Sequence, residues 1–114
     1  MIVEGICLTY ERDHFDYQIV KEGIKISDNL KIYAGMVDEK YEVGKILEMK
    51  VKENGVYFKA EMSDEDKNII ENFYPCAYGR IFQHCGKHIR KFNIDGINIL
   101  QRTAHKGCQF TKIS

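Results

Sequence analysis

The chain contains no tryptophan, a single proline and no long apolar run. No segment approaches the roughly 20 apolar residues that a membrane-spanning helix needs, so we expect no such helix. The first residues, MIVEGICLTYERD, lack the basic stretch followed by an apolar stretch that marks a signal peptide. We therefore expect a protein of a reducing cytosol, whose four cysteines are thiols or metal ligands rather than disulfides.

An excess of charge of either sign is also lacking, because 17 basic residues balance 17 acidic ones. A neutral chain gives no support to a nucleic-acid partner, although the basic residues lean toward the C-terminal end and the acidic ones toward the first 72 positions. There is no low-complexity tract and no long repeat. Together with the length of 114 residues, this predicts one domain over 1–114.

Strand patterns dominate what is present. Apolar and charged residues alternate over 45–52 and 56–62, with Asn54-Gly55 between them. This pattern predicts a β-hairpin with a type I′ turn, because Asn and Gly tolerate positive φ. Further strands are expected at 2–10, 31–36, 76–84, 88–94, 97–104 and 108–113.

One helix is predicted at about 63–74. Ser63 is a natural N-cap, acidic residues follow it in the first turn, and Pro75 disfavours helical geometry at the residue before it. The predicted fold is therefore mainly β, of the α+β kind, a small antiparallel β barrel or rolled sheet with this one helix.

Two short motifs near the C-terminal end mirror each other, HCGKH at 84–88 and HKGC at 105–108. If Asp95-Gly96 is the turn between strands 88–94 and 97–104, residue 88 pairs with 103 and residue 85 with 106. The two motifs would then lie side by side at one end of the sheet.

Such an arrangement would bring two thiolates and two imidazoles together, which suits tetrahedral, structural zinc. The predicted ligands are Cys85, His88, His105 and Cys108, and His84 could replace one of them. The alternative is that these cysteines are small, partly buried residues and that the histidines are solvated turn residues.

Several segments resemble the phage prohead (head-maturation) proteases, whose fold is that of the herpesvirus assemblin-type serine proteases. The opening VEGICLTYERDHFDYQIVKEGI is similar to the first strand and loop of that family, and YEVGKILEMKVKENGVYFKAEM is similar to its hairpin. PCAYGRIF resembles the nucleophile strand, and FNIDGINILQRTAHKG resembles the strand that follows it. The resemblance covers about residues 2–110 and implies a phage capsid context.

The catalytic positions of that family are not matched here. Met36 or Val37 stands at the place of its histidine, and Cys76 or Ala77 at the place of its serine. The third position falls near 100–102, which holds no acid. Without a histidine, an alcohol nucleophile has no base, so the resemblance implies the fold but argues against the activity.

Three functions follow as hypotheses. The first is a non-catalytic, prohead-protease-like protein that binds capsid or scaffold proteins, in the host cytoplasm or associated with the virion. The second is a cysteine peptidase with Cys76 as nucleophile and His105 or His84 as base. The third is a small phage-encoded module that binds a host protein. Two expected edge strands permit a homo-oligomer without requiring one.

Overall fold

The computed structural model describes residues 1–35, 41–102 and 107–114. These residues form eight strands, one α-helix and two short 3-10 helices at Lys21–Gly23 and Asp64–Asp66. The strands are β1 (Ile2–Leu8), β2 (Gln18–Ile19), β3 (Ile24–Ala34), β4 (Tyr41–Lys52), β5 (Gly55–Met62), β6 (Tyr74–Cys85), β7 (His88–Leu100) and β8 (Gln109–Ile113). The helix, α1, spans Lys67–Asn72.

One sheet contains all eight strands, in the order β6-β7-β3-β4-β5-β1-β8, with β2 pairing with β7 beside the start of β3. The β2–β7 and β3–β7 pairs are parallel and the others are antiparallel. The sheet curls into a half-barrel, so that β1 also lies against β6. The prediction of a mainly β, rolled sheet with one helix is confirmed.

The predicted hairpin is formed by β4 and β5, but its turn differs in detail. Lys52 pairs with Gly55, so Glu53 and Asn54 form the turn. The type I′ prediction is wrong, because neither Asn54 nor Gly55 has positive φ. The glycine serves another purpose, since a Cβ at Gly55 would lie 2.6 Å from the carbonyl oxygen of Leu8 on β1.

The alternation predicted for β5 is present and forms one wall of the core. Val56, Phe58, Ala60 and Met62 are buried, whereas the residues between them face outward. Their burial removes apolar surface from water at about 25 cal/mol per Å². On β4 the pairing shifts between Ile46 and Glu48, and Leu47 is left 45% exposed rather than in the core.

The helix is shorter than predicted. Ser63 accepts a hydrogen bond from the Glu65 amide at 3.3 Å and begins a 3-10 turn, which leads into α1. Phe73 is already extended, and Pro75 belongs to β6. A proline is tolerated there because β6 lies at the edge of the sheet.

The predicted turn at Asp95-Gly96 is wrong, because β7 runs without interruption from His88 to Leu100. Tyr78 pairs with Gly96 and Gly79 pairs with Ile94, which leaves Asp95 as an extra residue on β7. An Asp-Gly pair therefore marks a β-bulge here rather than a chain reversal.

No α-helix among the described residues is long and apolar enough to cross a bilayer.

Candidate functional site

The β6–β7 hairpin provides the most distinctive surface of the molecule. Cys85 pairs with His88, and the two residues between them form the turn, where Gly86 has a φ of 58°. The 13 residues of β7 span about 40 Å at ~3.3 Å per residue, which matches the longest extent of the molecule, 42 Å. The turn therefore lies at one end of the molecule and Leu100 near the other.

No described strand is hydrogen-bonded along the outer edge of β6. The strands β1 and β8 contact β6 without pairing with it. The first part of β6 is buried, but every residue from Arg80 to Cys85 is exposed. Ile81 and Phe82 are 53% and 59% exposed, which is unusual for two consecutive large apolar side chains on an edge strand. This surface, the edge of β6 from Gly79 to Cys85 with the adjoining turn, is called the hairpin edge below.

The chain segment that contains the hairpin edge carries charge of one sign. No acidic residue occurs between positions 72 and 94 of the chain. The same stretch contains four cations, Arg80, Lys87, Arg90 and Lys91, together with two histidines. Arg90 and Lys91 form no ion pair with another described residue, so their charge is available to a partner.

The bulge on β7 fixes the orientation of the first of these cations. Asp95 accepts hydrogen bonds from Arg80 at 2.9 Å and 3.1 Å and from the Ser27 hydroxyl at 2.6 Å. These bonds hold the pKa of the Asp95 carboxyl below its ordinary value. The guanidinium carbon of Arg80 in turn lies 5.4 Å from the ring centroid of Phe82, a cation–π contact. Phe82 is therefore supported by an ordered neighbour although most of its surface is exposed.

The loop before β2 adds aromatic surface beside the turn. Asp13 accepts hydrogen bonds from the amides of Phe15 and Tyr17, at 2.9 and 2.8 Å, and so shapes the loop. Lys87 lies 4.2 Å from the centroid of the Tyr17 ring and donates to the Phe15 carbonyl oxygen at 3.4 Å. The Phe15 side chain is left 70% exposed close to the hairpin turn.

Cys76, the nucleophile of the peptidase hypothesis, lies in the buried part of β6. It is 8% exposed and pairs with Asn98, and its thiol points to the carbonyl oxygen of Ala77 at 3.7 Å. Burial raises the pKa of the Cys7 thiol, and the charge of a Cys76 thiolate would raise it further. Buried, apolar surroundings of this kind favour the protonated thiol.

The base proposed from the sequence is not beside Cys76 among the described residues. His84 lies eight positions further along β6, which corresponds to about 26 Å of extended strand. A general base must lie within about 3 Å of the proton that it takes up, so His84 as base is wrong. His105, the other predicted base, lies outside the described residues, as do Met36 and Val37 at the position of the family's histidine.

The strand register also removes the geometric ground for the zinc site. His88 pairs with Cys85 across the hairpin turn and with Gln18 on its other side. Residue 103, its predicted partner, lies outside the described residues. Cys108 precedes Gln109, which pairs with Ile6 on β1, next to Cys7.

Cys108 is buried, whereas Cys85 is exposed at the tip of the hairpin. Because β7 runs on through 95–96 without a turn, the strand pairing that was predicted to bring the two motifs together is wrong. No described group of three or more Cys, His, Asp and Glu side chains is arranged for a metal. Zinc binding by Cys85, His88, His105 and Cys108 stays a prediction without this support.

A cleft of about 770 Å³ lies near the opposite end of the sheet from the turn. Its apolar lining includes Tyr41, Ile69, Phe73 and Leu100. No carboxylate, imidazole or thiol occurs among the described residues that line it. The described lining of the cleft therefore offers mainly apolar contact.

No protein-family model, curated protein or solved structure matches this chain. The resemblance to prohead proteases stays a prediction.

The hairpin edge was not predicted from the sequence, although two signals for it are present. Ile81 and Phe82 are consecutive, so one of them must face away from the core on a regular strand. The absence of acidic residues between 72 and 94 is the second signal. The turn assumed at Asp95-Gly96 directed the interpretation of 84–88 toward a pairing with 105–108 instead.

Proposed function

We propose that the chain is a non-catalytic protein-binding module that contacts its partner through the hairpin edge. The observation that carries this proposal is the unpaired edge of β6, on which Ile81 and Phe82 are more than half exposed. An open edge strand presents a row of free backbone donors and acceptors, and proteins normally cover or shorten such edges unless they use them.

The composition of the hairpin edge supports binding rather than uncontrolled aggregation. Arg80 precedes the apolar pair and His84 follows two positions later, and flanking polar residues of this kind oppose indiscriminate pairing. Exposed aromatic and arginine side chains are also the residue types that contribute most to protein interfaces. A partner that covers Phe82 and Ile81 would remove their exposed apolar surface from water, and the packing of the core would not have to change.

The identity of the partner is suggested by the sequence resemblance alone. The similarity of residues 41–62 to the hairpin of prohead proteases favours a phage capsid or scaffold protein, in the host cytoplasm or in the virion. A host protein is the alternative partner if the module is an inhibitor. Nucleic acid is not proposed, because the chain as a whole is neutral.

Site-specific photo-crosslinking tests this proposal. A photoreactive phenylalanine analogue replaces Phe82 in the full chain, expressed together with the capsid and scaffold proteins of a phage that encodes it. Leu47 is the control position, since it is an exposed apolar residue, 45% accessible, on a different strand, β4.

The crosslinked protein is then purified and its affinity for the unmodified chain is measured. We expect Phe82→Ser to weaken binding by at least about ten-fold, as truncation of a central apolar contact does, and Leu47→Ser to leave it unchanged. Equal crosslinking from both positions, no crosslinked protein, or an affinity insensitive to Phe82→Ser would overturn the proposal.

A further inference from the structure

We infer that the hairpin edge takes an acidic, extended polypeptide segment, which adds to the sheet as a new strand beside β6. This inference rests on the proposed function and specifies the chemistry of the partner. Three features of the hairpin edge support it, namely the free backbone, the excess of cations in the hairpin and the position of the exposed apolar side chains.

The backbone of β6 is suited to pairing with a further strand. Between Gly79 and Cys85 the strand is extended and pairs with β7, with Phe82 as an extra residue on β6 and Arg90 as an extra residue on β7. In an antiparallel ladder alternate residues direct their N–H and C=O groups away from the existing partner. Seven residues give a free edge about 20 Å long, which equals the usual length of a strand in globular proteins.

The charge of the hairpin selects among extended segments. Cations outnumber acids by four to zero from position 72 to position 94, while the rest of the chain carries all 17 acidic residues. Gln83 pairs with Lys91, so this lysine lies one strand away from any segment added at the edge. An ammonium group on a flexible four-carbon stem can reach a carboxylate at that distance.

The exposed apolar side chains lie on both faces of β6. Ile81 pairs with the buried Phe92 and so faces the inner side of the sheet. Phe82 contacts Arg80, and Arg80 donates a hydrogen bond to Asp95 on the outer side. A segment that alternates acidic and apolar residues would meet Ile81 on the inner face, and Phe82 with Lys91 nearby on the outer face. Cross-strand neighbours of opposite charge or of apolar type stabilise a sheet.

Charge argues against a second copy of this chain as the occupant. Two hairpin edges paired with each other would bring the cations of both hairpins together, and like charges oppose association. A single-stranded nucleic acid would satisfy the cations and could stack on Phe82, but it cannot use the free backbone of β6. The acidic strand is the occupant that uses all three features.

Peptide binding to the intact chain tests the inference. The probe is a capped peptide of about ten residues that alternates glutamate and valine. Three comparison probes are its lysine–valine counterpart, an N-methylated version that cannot pair along one edge, and an oligothymidylate of equal charge. Affinity is measured by fluorescence anisotropy, and the amide signals of 79–85 are followed by NMR and hydrogen exchange.

We expect the glutamate peptide to bind at least about ten-fold more tightly than the lysine or the N-methylated peptide, and to bind more weakly at high salt. Alternate amides of 79–85 should become protected from exchange. The K87E/R90E/K91E variant should reverse the preference between the glutamate and lysine peptides. The matched variant K45E/K59E/K67E changes the net charge equally at exposed positions elsewhere and should not.

Equal affinity for the two charged peptides, binding that tolerates N-methylation, or no binding of any peptide would overturn the inference. Tighter binding of the oligothymidylate at 79–85, or a concentration-dependent dimer that the glutamate peptide cannot displace, would identify a different occupant and overturn it too. The proposed function fails separately, since it requires only that a protein contact Phe82, whatever the charge of that protein.

Discussion

Arg80 and Asp95 form a two-point contact across the β6–β7 pair, with Nε 2.9 Å from Oδ2 and Nη2 3.1 Å from Oδ1. Arg80 pairs with Asn93, whereas Asp95 is the extra residue of the bulge on β7. The Asp95 carboxylate accepts hydrogen bonds from Arg80 and Ser27, and Arg80 lies over the ring of Phe82. Phe82 is itself an extra residue on β6, so two irregularities, one on each strand, shape how the hairpin edge presents its aromatic residue.

The titration of Asp95 provides the first prediction. Hydrogen bonds from Arg80 and then from Ser27 lower the pKa of its carboxyl. We expect Arg80→Met to raise this pKa toward its ordinary value, measured from the side-chain carbonyl shift in a ¹³C NMR titration. Lys50→Met removes a cation that is paired with Glu48, both on β4, and should leave the pKa of Asp95 unchanged.

The sign of the pH dependence follows from linkage. A carboxyl whose pKa is lower in the folded state stabilises the fold above its unfolded pKa, and this contribution is lost as the pH falls through the folded value. Asp95→Asn should therefore flatten the acid side of the curve of unfolding free energy against pH. An unchanged acid side would contradict the described hydrogen bonds.

The close approach at Gly96 provides the second prediction. A Cβ there would lie 2.3 Å from the carbonyl oxygen of Lys31 and 2.7 Å from the ring of Tyr78. Backbone cannot move aside as a flexible side chain can, so Gly96→Ala should destabilise the fold by about 2 kcal/mol or more, measured by urea unfolding.

Gly86→Asn is the control for that substitution. Gly86 has open space around its Cβ position and a left-handed φ of 58°, which asparagine adopts more easily than other residues. We expect a loss of at most about 1 kcal/mol there. Similar costs at both positions would show that backbone freedom, and not the contact with Lys31 and Tyr78, is what requires glycine at 96.

The errors of sequence interpretation have a common physical origin. Alternation predicted the β4–β5 hairpin, because a half-buried strand has a period of two that the sequence records directly. Asp95-Gly96 was assigned to a turn because aspartate and glycine favour turns and bulges alike. The choice depends on Lys31 and Tyr78, which lie 65 and 18 positions from Gly96 in the chain and so cannot be recognised from a local pattern.

That single error decided the assignment of the candidate site. With a turn at 95–96, Cys85 and His88 appear beside 105–108; with a bulge, they form the tip of a long hairpin. The parallel pairing of β3 with β7 was equally beyond local patterns, since no feature of residues 24–34 records their partner. The presence of a helix was predictable from Ser63 and the acidic residues after it. Its length was not, because the helix has to end before β6, which begins at Tyr74.

Two isoleucines near the hairpin separate stability from binding. Ile97 is fully buried on β7, whereas Ile81 on β6 is 53% exposed. Ile97→Ala should cost about 3 kcal/mol of unfolding free energy, from lost apolar burial and the cavity left behind. Ile81→Ala should cost less than about 1 kcal/mol, as substitutions at exposed positions usually do.

The same pair of variants bears on the hairpin edge. Ile81→Ala should weaken binding of the glutamate–valine peptide while leaving the midpoint of urea unfolding nearly unchanged. A large loss of stability in Ile81→Ala would mean that this side chain is part of the core. Its effect on binding could then not be assigned to a contact with the partner.

The reactivity of the four thiols provides the last prediction and tests the peptidase hypothesis. Cys85 is exposed at the tip of the hairpin, beside Lys87, whereas Cys7, Cys76 and Cys108 are buried. A maleimide added to the native chain should therefore modify one thiol quickly, and the other three should react only as the fold opens locally or globally. Mass spectrometry of proteolytic fragments identifies which cysteine reacts, and Cys85→Ser should remove the fast phase.

In denaturant all four thiols should react at similar rates. Fast modification of Cys76 in the native Cys85→Ser chain would instead indicate an activated nucleophile, and the description of this chain as a non-catalytic binding module would be wrong.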